Sequence, residues 1–294
     1  MKYERLDRRG RERYLDRVVL AGRGYVRRRL LGQGAFSDVY CVEEAESGRR
    51  YACKISARAG MLEREARTLA GLRHPLYPEF AAFWREGELG ILLREYVQGD
   101  SLEEMLKRRR FSPVQTVRTG LSLAEGLLYL HELPERLLFR DVKPANVIVT
   151  EDGGIKLIDL GCVCSMAGEV ASRAGSPGFA PPEQLNGTRL LTPSCDVYGL
   201  GKTLEAMLGQ ERRGRRHTGA WQQGGQRRIG RSCPGPGRVI WPGGGRGISA
   251  HPRARQRAQA QKKLLRILRN CTREEAAERM ADMRRVMEAF ARIL

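Results

Sequence analysis

The sequence predicts an α+β fold in two lobes, a β-rich first lobe ending near Val97 and a mainly helical second one. Three observations predict it. Residues 25–97 alternate apolar and polar with the period of strands, interrupted by one helical stripe. From Gly99 onward apolar residues recur at helical spacing instead. Within that second part, two short apolar runs at 147–149 and 155–158 flank Asp152-Gly153-Gly154, a hairpin signal set among helices.

Taken in order, Leu30-Leu31 leads into Gly32-Gln33-Gly34-Ala35-Phe36-Ser37, and Val39-Tyr40-Cys41-Val42 continues as a second strand. An acidic turn over 43–48 separates it from the third, Tyr51-Ala52-Cys53-Lys54-Ile55. Residues 61–72 place Leu62, Ala66, Leu69, Ala70 and Leu72 at a helical period, and His74-Pro75 ends that helix. Residues 80–84 and 91–97 read as two more strands joined by a turn at 87–90. In the second lobe, Ser101-Leu102-Glu103-Glu104 has the form of an N-cap with an acidic first turn. Residues 113–133 carry a long apolar stripe through Val117, Leu121, Ala124, Leu128 and Leu130. Further helices are expected over 197–208 and 263–294, the latter broken near Cys271-Thr272.

At 294 residues the chain is long enough to bury a full core. Its net charge is +19, and residues 209–261 hold twelve Arg against one acid, so this segment supplies about +11 of it. Gly, Arg, Gln and Pro dominate there without periodicity, and such a composition cannot bury enough apolar surface to offset chain entropy. Two origins fit it, a flexible basic insert or a pair of compensating frameshifts. A lesser reading makes it a nucleic-acid-binding segment with Trp221 and Trp241 for stacking. Residues 1–24 read as a basic N-terminal extension. The seven cysteines are irregularly spaced with no C-x-x-C pair, which argues against a disulfide framework or zinc site and for a reducing cytoplasm. Cys162 and Cys164 read first as small apolar loop residues and second as a redox switch. There is no secretory h-region and no apolar run long enough to cross a bilayer.

The chemistry is concentrated in Phe139-Arg140-Asp141-Val142-Lys143-Pro144-Ala145-Asn146, followed thirteen residues after Asn146 by Asp159-Leu160-Gly161. An Asp able to accept a hydroxyl proton, a Lys to neutralise a migrating phosphate, and an Asn and second Asp to hold Mg²⁺ are the parts of phosphoryl transfer. Gly32-Gln33-Gly34, between two strands, reads either as a hairpin turn or as a backbone cradle for phosphates. Lys54, on an inward strand position, needs an anionic partner, and Glu65 on the following helix is the natural one.

This ordered set resembles the eukaryotic-type (Hanks-type) Ser/Thr protein kinase family, over about residues 25–208 and 264–294. It comprises Gly32-x-Gly34, Ala52-x-Lys54, Glu65, the hinge-like Glu95-Tyr96-Val97, Arg140-Asp141-x-Lys143-Pro144-x-Asn146, Asp159-Leu160-Gly161, Pro181-Pro182-Glu183 and Asp196. The resemblance implies the two-lobed kinase fold, ATP with Mg²⁺ (Mn²⁺ as alternative) in the cleft, and protein substrates. Asp141 is then the catalytic base and Lys143 the γ-phosphate ligand, a pattern of Ser/Thr-directed members, while Lys54 and Glu65 orient the α- and β-phosphates and Asn146 and Asp159 hold the metal. Val39, Ala52 and Ile148 match positions that sandwich adenine, and equally serve as plain core, with the Glu95 and Val97 backbone at its edge. Residues 162–180 resemble an activation segment: Ser176 contacts the catalytic Asp and Lys, Ser172 is the phosphorylation site, and Arg140 grips its phosphate. Glu183 pairs with Arg279. The compact organisation suggests a bacterial protein.

Several residues depart from the family pattern. Ser37 stands for the third glycine, Phe139 for a His, Leu160 for a Phe and Pro181 for an Ala, all mild changes. Arg94, before the hinge, stands where an apolar residue or Thr is usual, and a buried guanidinium there requires a carboxylate or water. Residues 209–261 replace a helix that braces the lower lobe. Two alternatives therefore remain, an inactive kinase-fold scaffold and a small-molecule phosphotransferase, the second disfavoured by the activation segment.

Overall fold

A computed structural model describes residues 3–34, 36–167, 174–187, 191–209 and 252–294, the side chains of 252–255 and 257 excepted. The first lobe is a five-stranded antiparallel sheet of order β1-β2-β3-β5-β4, built from β1 (Tyr25–Gln33), β2 (Ser37–Glu44), β3 (Arg50–Ser56), β4 (Phe80–Glu86) and β5 (Leu89–Glu95). β5 stops at Glu95, two residues short of expectation, and Tyr96, Val97 and Gln98 cross to the second lobe outside any strand.

The two-residue side-chain period sorts the sheet into two faces. Tyr40, Val42, Tyr51, Cys53, Ile55, Leu89, Ile91 and Leu93 form one buried cluster. Opposite them, Ala52 pairs across the ladder with Arg94, and Lys54 with Leu92, placing these four side chains on the second face. There they meet α2 (Ala59–Gly71), whose buried residues Leu62, Glu65, Ala66 and Leu69 recur every three or four positions. Glu65 is thus a carboxylate set in an apolar stripe.

Residues 3–24 do not trail away from the lobe as an extension. They form a single turn at Tyr3–Arg5, α1 (Arg8–Tyr14) capped by the Asp7 side chain, and a π-helical turn at Leu15–Val19. Tyr3, Leu15, Val19 and Leu20 are buried in the same cluster as the first sheet face. No helical period announced this, because the four buried residues are spread over eighteen otherwise Arg-rich positions.

The second lobe is organised around α4 (Pro113–Glu132), which follows α3 (Leu102–Arg108). Ser112 and Gln115 form a reciprocal capping box at its start, with Pro113 in the first turn. Its buried face packs on α6 (Ser194–Met207) and α8 (Met283–Ala291). A Cβ at Gly126 would lie 1.9 Å from Leu76 Cδ2, so glycine there is what lets the segment between α2 and β4 press onto α4. Two small sheets complete the second lobe. β6 (Gly99–Ser101) pairs with β8 (Val147–Thr150) and β8 with β9 (Ile155–Leu157), while β7 (Leu137–Leu138) pairs with β10 (Cys164–Ser165). β6, three exposed or half-buried residues, carries no apolar alternation and was not expected.

α6 begins three residues earlier than its apolar stripe, bringing Asp196 into its first turn. α7 (Pro252–Cys271) starts within the segment expected not to pack. The reason is local: from Pro252 the glycines give way to Ala, Gln, Arg and Lys, all good helix formers, and Pro is tolerated in a first turn. Residues 210–251, with Trp221 and Trp241, lie outside the described residues.

Because Leu15 is fully buried against the sheet, Leu15→Ala is expected to lower unfolding free energy by about 2–5 kcal/mol in a denaturant titration. A loosely attached extension would show no change.

Candidate active site

Four stretches of chain converge on one cleft of about 620 Å³ between the lobes. β1, β2 and the turn between them contribute Gly32, Gly34 and Val39; β3 contributes Ala52 and Lys54; the end of β5 and the crossing segment contribute Glu95 and Val97; and the β8–β9 hairpin with its flanking loops contributes Lys143, Asn146, Ile148 and Asp159. Every residue that the sequence assigned to nucleotide contact or metal holding therefore lines the same space.

At its back, Lys54 Nζ donates to Glu65 Oε1 and Oε2 at 3.0 and 2.8 Å and to Asp159 Oδ1 at 2.9 Å. Desolvation disfavours the Lys54 charge, but the two carboxylates outweigh it and raise its pKa. Burial pushes Glu65 up. Asp159 is also opposed by desolvation, yet the Lys54 ammonium, with the Gly161 N–H (3.1 Å) and Arg94 behind, holds its carboxyl at about 2. Gly161 leaves room for this, since a Cβ there would stand 3.2 Å from Asp159 Oδ1 and 3.4 Å from Glu65 Oε2.

Arg94 is 5% exposed, its Nε has no hydrogen-bond partner among the described residues, and burial lowers its pKa against the pull of Glu65 and Asp159. Its compensation is thus the field of two carboxylates already bonded to Lys54. The Glu95 side chain braces the crossing segment, accepting from Lys156 Nζ (2.7 Å) and the Glu79 N–H (3.0 Å).

In the second lobe, Asp141 is held on both oxygens. Lys143 Nζ (2.8 Å) and Asn146 Nδ2 (3.1 Å) donate to Oδ2, and the Ser176 hydroxyl (2.9 Å) donates to Oδ1. Lys143 Nζ also donates to Ser176 Oγ at 2.6 Å. Asn146 Nδ2 bonds the Asp141 carbonyl too (2.9 Å), which leaves its side-chain oxygen for another partner.

The loop is fixed from below by Asp196. This buried carboxylate accepts the N–H groups of Phe139 (2.9 Å) and Arg140 (2.7 Å) and contacts His131 Nε2 at 2.9 Å. Arg140 has φ +71°, a left-handed conformation costing a non-glycine residue about 1–3 kcal/mol, and the two N–H bonds hold it there. Phe139 is fully buried in the core. Glu183 meets Arg279 in a bidentate pair, one arm at 2.9 Å, and Arg279 is fully buried at its side chain.

Three contributors were not foreseen. Gln184 Nε2 donates to the carbonyls of Arg140 (2.7 Å) and Ala174 (2.6 Å), tying the loop to the segment that carries Ser176. Gly175 makes space for that amide at φ +112°. Asp38, on β2, is the third: a charged residue in an otherwise apolar period-2 series with Tyr40 and Val42, which is a legible signal. Ser172 lies outside the described residues. Burial, with Asp141 and Asp159 nearby, pushes the Cys162 thiol up to about 11, which favours the inert reading over a redox switch.

A sheet with a Lys-Glu pair, a cleft beneath it and a loop of Asp, Lys and Asn facing a second Asp define a phosphotransferase-type fold. Residues 25–290 match the protein kinase domain, and the chain belongs to that family. The family as a whole uses ATP and a divalent metal. The serine/threonine-protein kinase pkn2 of Myxococcus xanthus is 33% identical over 204 residues, covering 63% of this chain and 24% of that protein. A probable serine/threonine-protein kinase of Streptomyces coelicolor is 30% identical over 202 residues, 61% of this chain and 29% of its own length. The Aurora kinase of Eremothecium gossypii is 30% identical over 193 residues, 62% and 52% respectively. The chain thus spans about a quarter of the length of the first two.

The Asp159 shift has a defined sign. A carboxyl held below its unfolded value stabilises the fold above that unfolded value, about 4, and loses the contribution as pH falls towards 2. The stability difference between wild type and Asp159→Asn is therefore expected to shrink from pH 6 to pH 3 in urea titrations, and a constant difference would contradict the ion pair.

Proposed function

We propose that the protein is an ATP-dependent serine/threonine protein kinase, with residues 25–97 as the nucleotide lobe and 98–294 as the lobe that presents the acceptor. The observation that carries this is the contact of a carboxylate, an ammonium and a hydroxyl at Asp141, Lys143 and Ser176, which reproduces in the chain itself what an acceptor hydroxyl requires.

An acceptor hydroxyl entering beside Ser176 would give its proton to Asp141 as its oxygen bonds the γ-phosphorus and the bond to the β-phosphate oxygen breaks, releasing ADP. Lys143 neutralises charge on the moving group, and Lys54, kept in place by Glu65, orients the α- and β-phosphates. Backbone of Glu95 and Val97 receives the purine edge, with Val39, Ala52 and Ile148 on its faces and Gly32 and Gly34 over the phosphates. Asn146 and Asp159 offer oxygen donors of the kind hard cations take, Asn146 with its carbonyl oxygen unused by Asp141 and Asp159 with 41% of its side chain exposed. Asn146 and Asp159 would hold Mg²⁺, or Mn²⁺ as alternative, which would supply neutralisation of phosphate charge there.

The acceptor class follows from Lys143, and proteins are the substrates. Ser172 is assigned as an autophosphorylation site whose phosphate Arg140 engages. Two bacterial relatives support a bacterial origin, and six free cysteines among the described residues support a reducing, cytoplasmic setting. Among the described residues no helix is long and apolar enough to cross a membrane. Nucleic acid is a lesser partner, through residues 209–261.

With labelled ATP, Mg²⁺ and a basic protein acceptor, Asp141→Asn is expected to reduce transfer by about 10²–10⁴-fold while nucleotide affinity holds. Equal labelling by both proteins removes the catalytic assignment and leaves an inactive fold. Peptide mapping after incubation with ATP is expected to place phosphate on Ser172, and activity unaltered in Ser172→Ala would refute a switch there.

A further inference from the structure

The N-terminal residues do more than cover the sheet. Asp38, 2% exposed, lies immediately before Val39, which lines the cleft, and pairs in register with Gln33 between the two glycines. Its side chain points to the face away from the cleft. There Oδ2 accepts the Tyr3 hydroxyl at 2.9 Å and the Arg11 guanidinium at 3.1 Å, both from the first eleven residues. Oδ1 is buried with no partner among the described residues. Arg11 is itself fixed by the carbonyls of Leu6 (3.1 Å) and Glu4 (3.0 Å), and its guanidinium lies over the Tyr3 ring.

A buried carboxylate with two donors on one oxygen is costly once those donors leave. The sheet offers little in their place: of the neighbours of Asp38 on that face, Ile55 is apolar and Tyr40 has a single hydroxyl, which lies in the field of the Asp38 carboxylate. The strand end is therefore held by groups from outside the sheet, one residue from the turn Gly34 N–H to Ser37 carbonyl (2.8 Å). Ser56 Oγ, bonded to the Phe36 carbonyl at 2.7 Å, is a second hold on the same loop.

We propose that residues 3–20 tether the glycine-rich loop through Asp38, a positioning residue, so that the N-terminal segment sets nucleotide affinity. The tether rests on the nucleotide-cleft reading above. It acts on binding: the loop closes over the phosphates, whereas Asp141, Lys143 and Asn146 are anchored separately by Asp196.

The test uses the full chain carrying Tyr3→Phe together with Arg11→Met, which removes both N-terminal donors to Asp38 Oδ2 and keeps the apolar cover of Leu15, Val19 and Leu20. The KM for ATP, and the Kd of a non-hydrolysable analogue by calorimetry, are expected to rise about three- to tenfold. The kcat and the KM for the acceptor protein stay within about twofold. Amides of residues 33–38 are expected to exchange faster with deuterium while those of α4 do not. A lower Tm with unchanged nucleotide affinity and unchanged exchange at 33–38 overturns the tether and leaves a structural cover. If the double variant does not fold, Tyr3→Phe alone carries the same measurements. Should wild type bind nucleotide and transfer nothing, the kinase reading fails while the calorimetry still decides the tether. Should it bind no nucleotide, the tether's stated consequence fails with that reading.

Discussion

A single ammonium holds the two halves of the site in register. Lys54 comes from β3, Glu65 from α2 and Asp159 from the loop after β9, and three short bonds join them at one nitrogen. Lys54 and Glu65 alone would each be an expensive buried charge. Together the three groups place a strand, a helix and the second lobe at fixed distances, and the cleft follows from that. Arg94 belongs to the same arrangement, because a guanidinium buried there is tolerable only beside the two carboxylates whose field compensates it.

The lower half of the site uses a different device. Asp196, buried in the first turn of α6, organises the loop before Asp141 by backbone bonds rather than by charge pairing across the cleft. Gln184 and the Glu183–Arg279 pair then fix the segment bearing Ser176 to that loop and to the C-terminal helices. The division is physically sensible. The upper group is built from side-chain charges that meet at one nitrogen, while the lower one is built from backbone bonds to a buried carboxylate, so the two halves of the site are held by independent means.

How much of this was legible varied with the physics behind each residue. Lys54 and Glu65 were readable because a charge at an inward strand or apolar helix position has few explanations, and Asp141, Asn146 and Asp159 because their residue types at that loop spacing are the parts of phosphoryl transfer. Asp196 and Arg279 were readable only through the family pattern, since neither position breaks a local rule. Gln184 escaped because its work, bonding two carbonyls distant in sequence, leaves no periodic trace. The strands of the first sheet followed from alternation, whereas β6 and the turns of residues 3–20 did not, being too short or too diluted by arginine to show a period. Asp38 could have been found, as the one acid in a run that alternates apolar.

The covered outer face of the sheet also bears on where this domain begins. The family match opens at Tyr25, but Tyr40, Val42, Ile55, Ile91 and Leu93 find their lid in residues before it. A chain started at the family boundary would present a contiguous oily plate with a stranded carboxylate at its rim, a surface prone to self-association. The evolutionary module and the physical one have different edges, and any attempt to graft this lobe onto another kinase would have to respect the second.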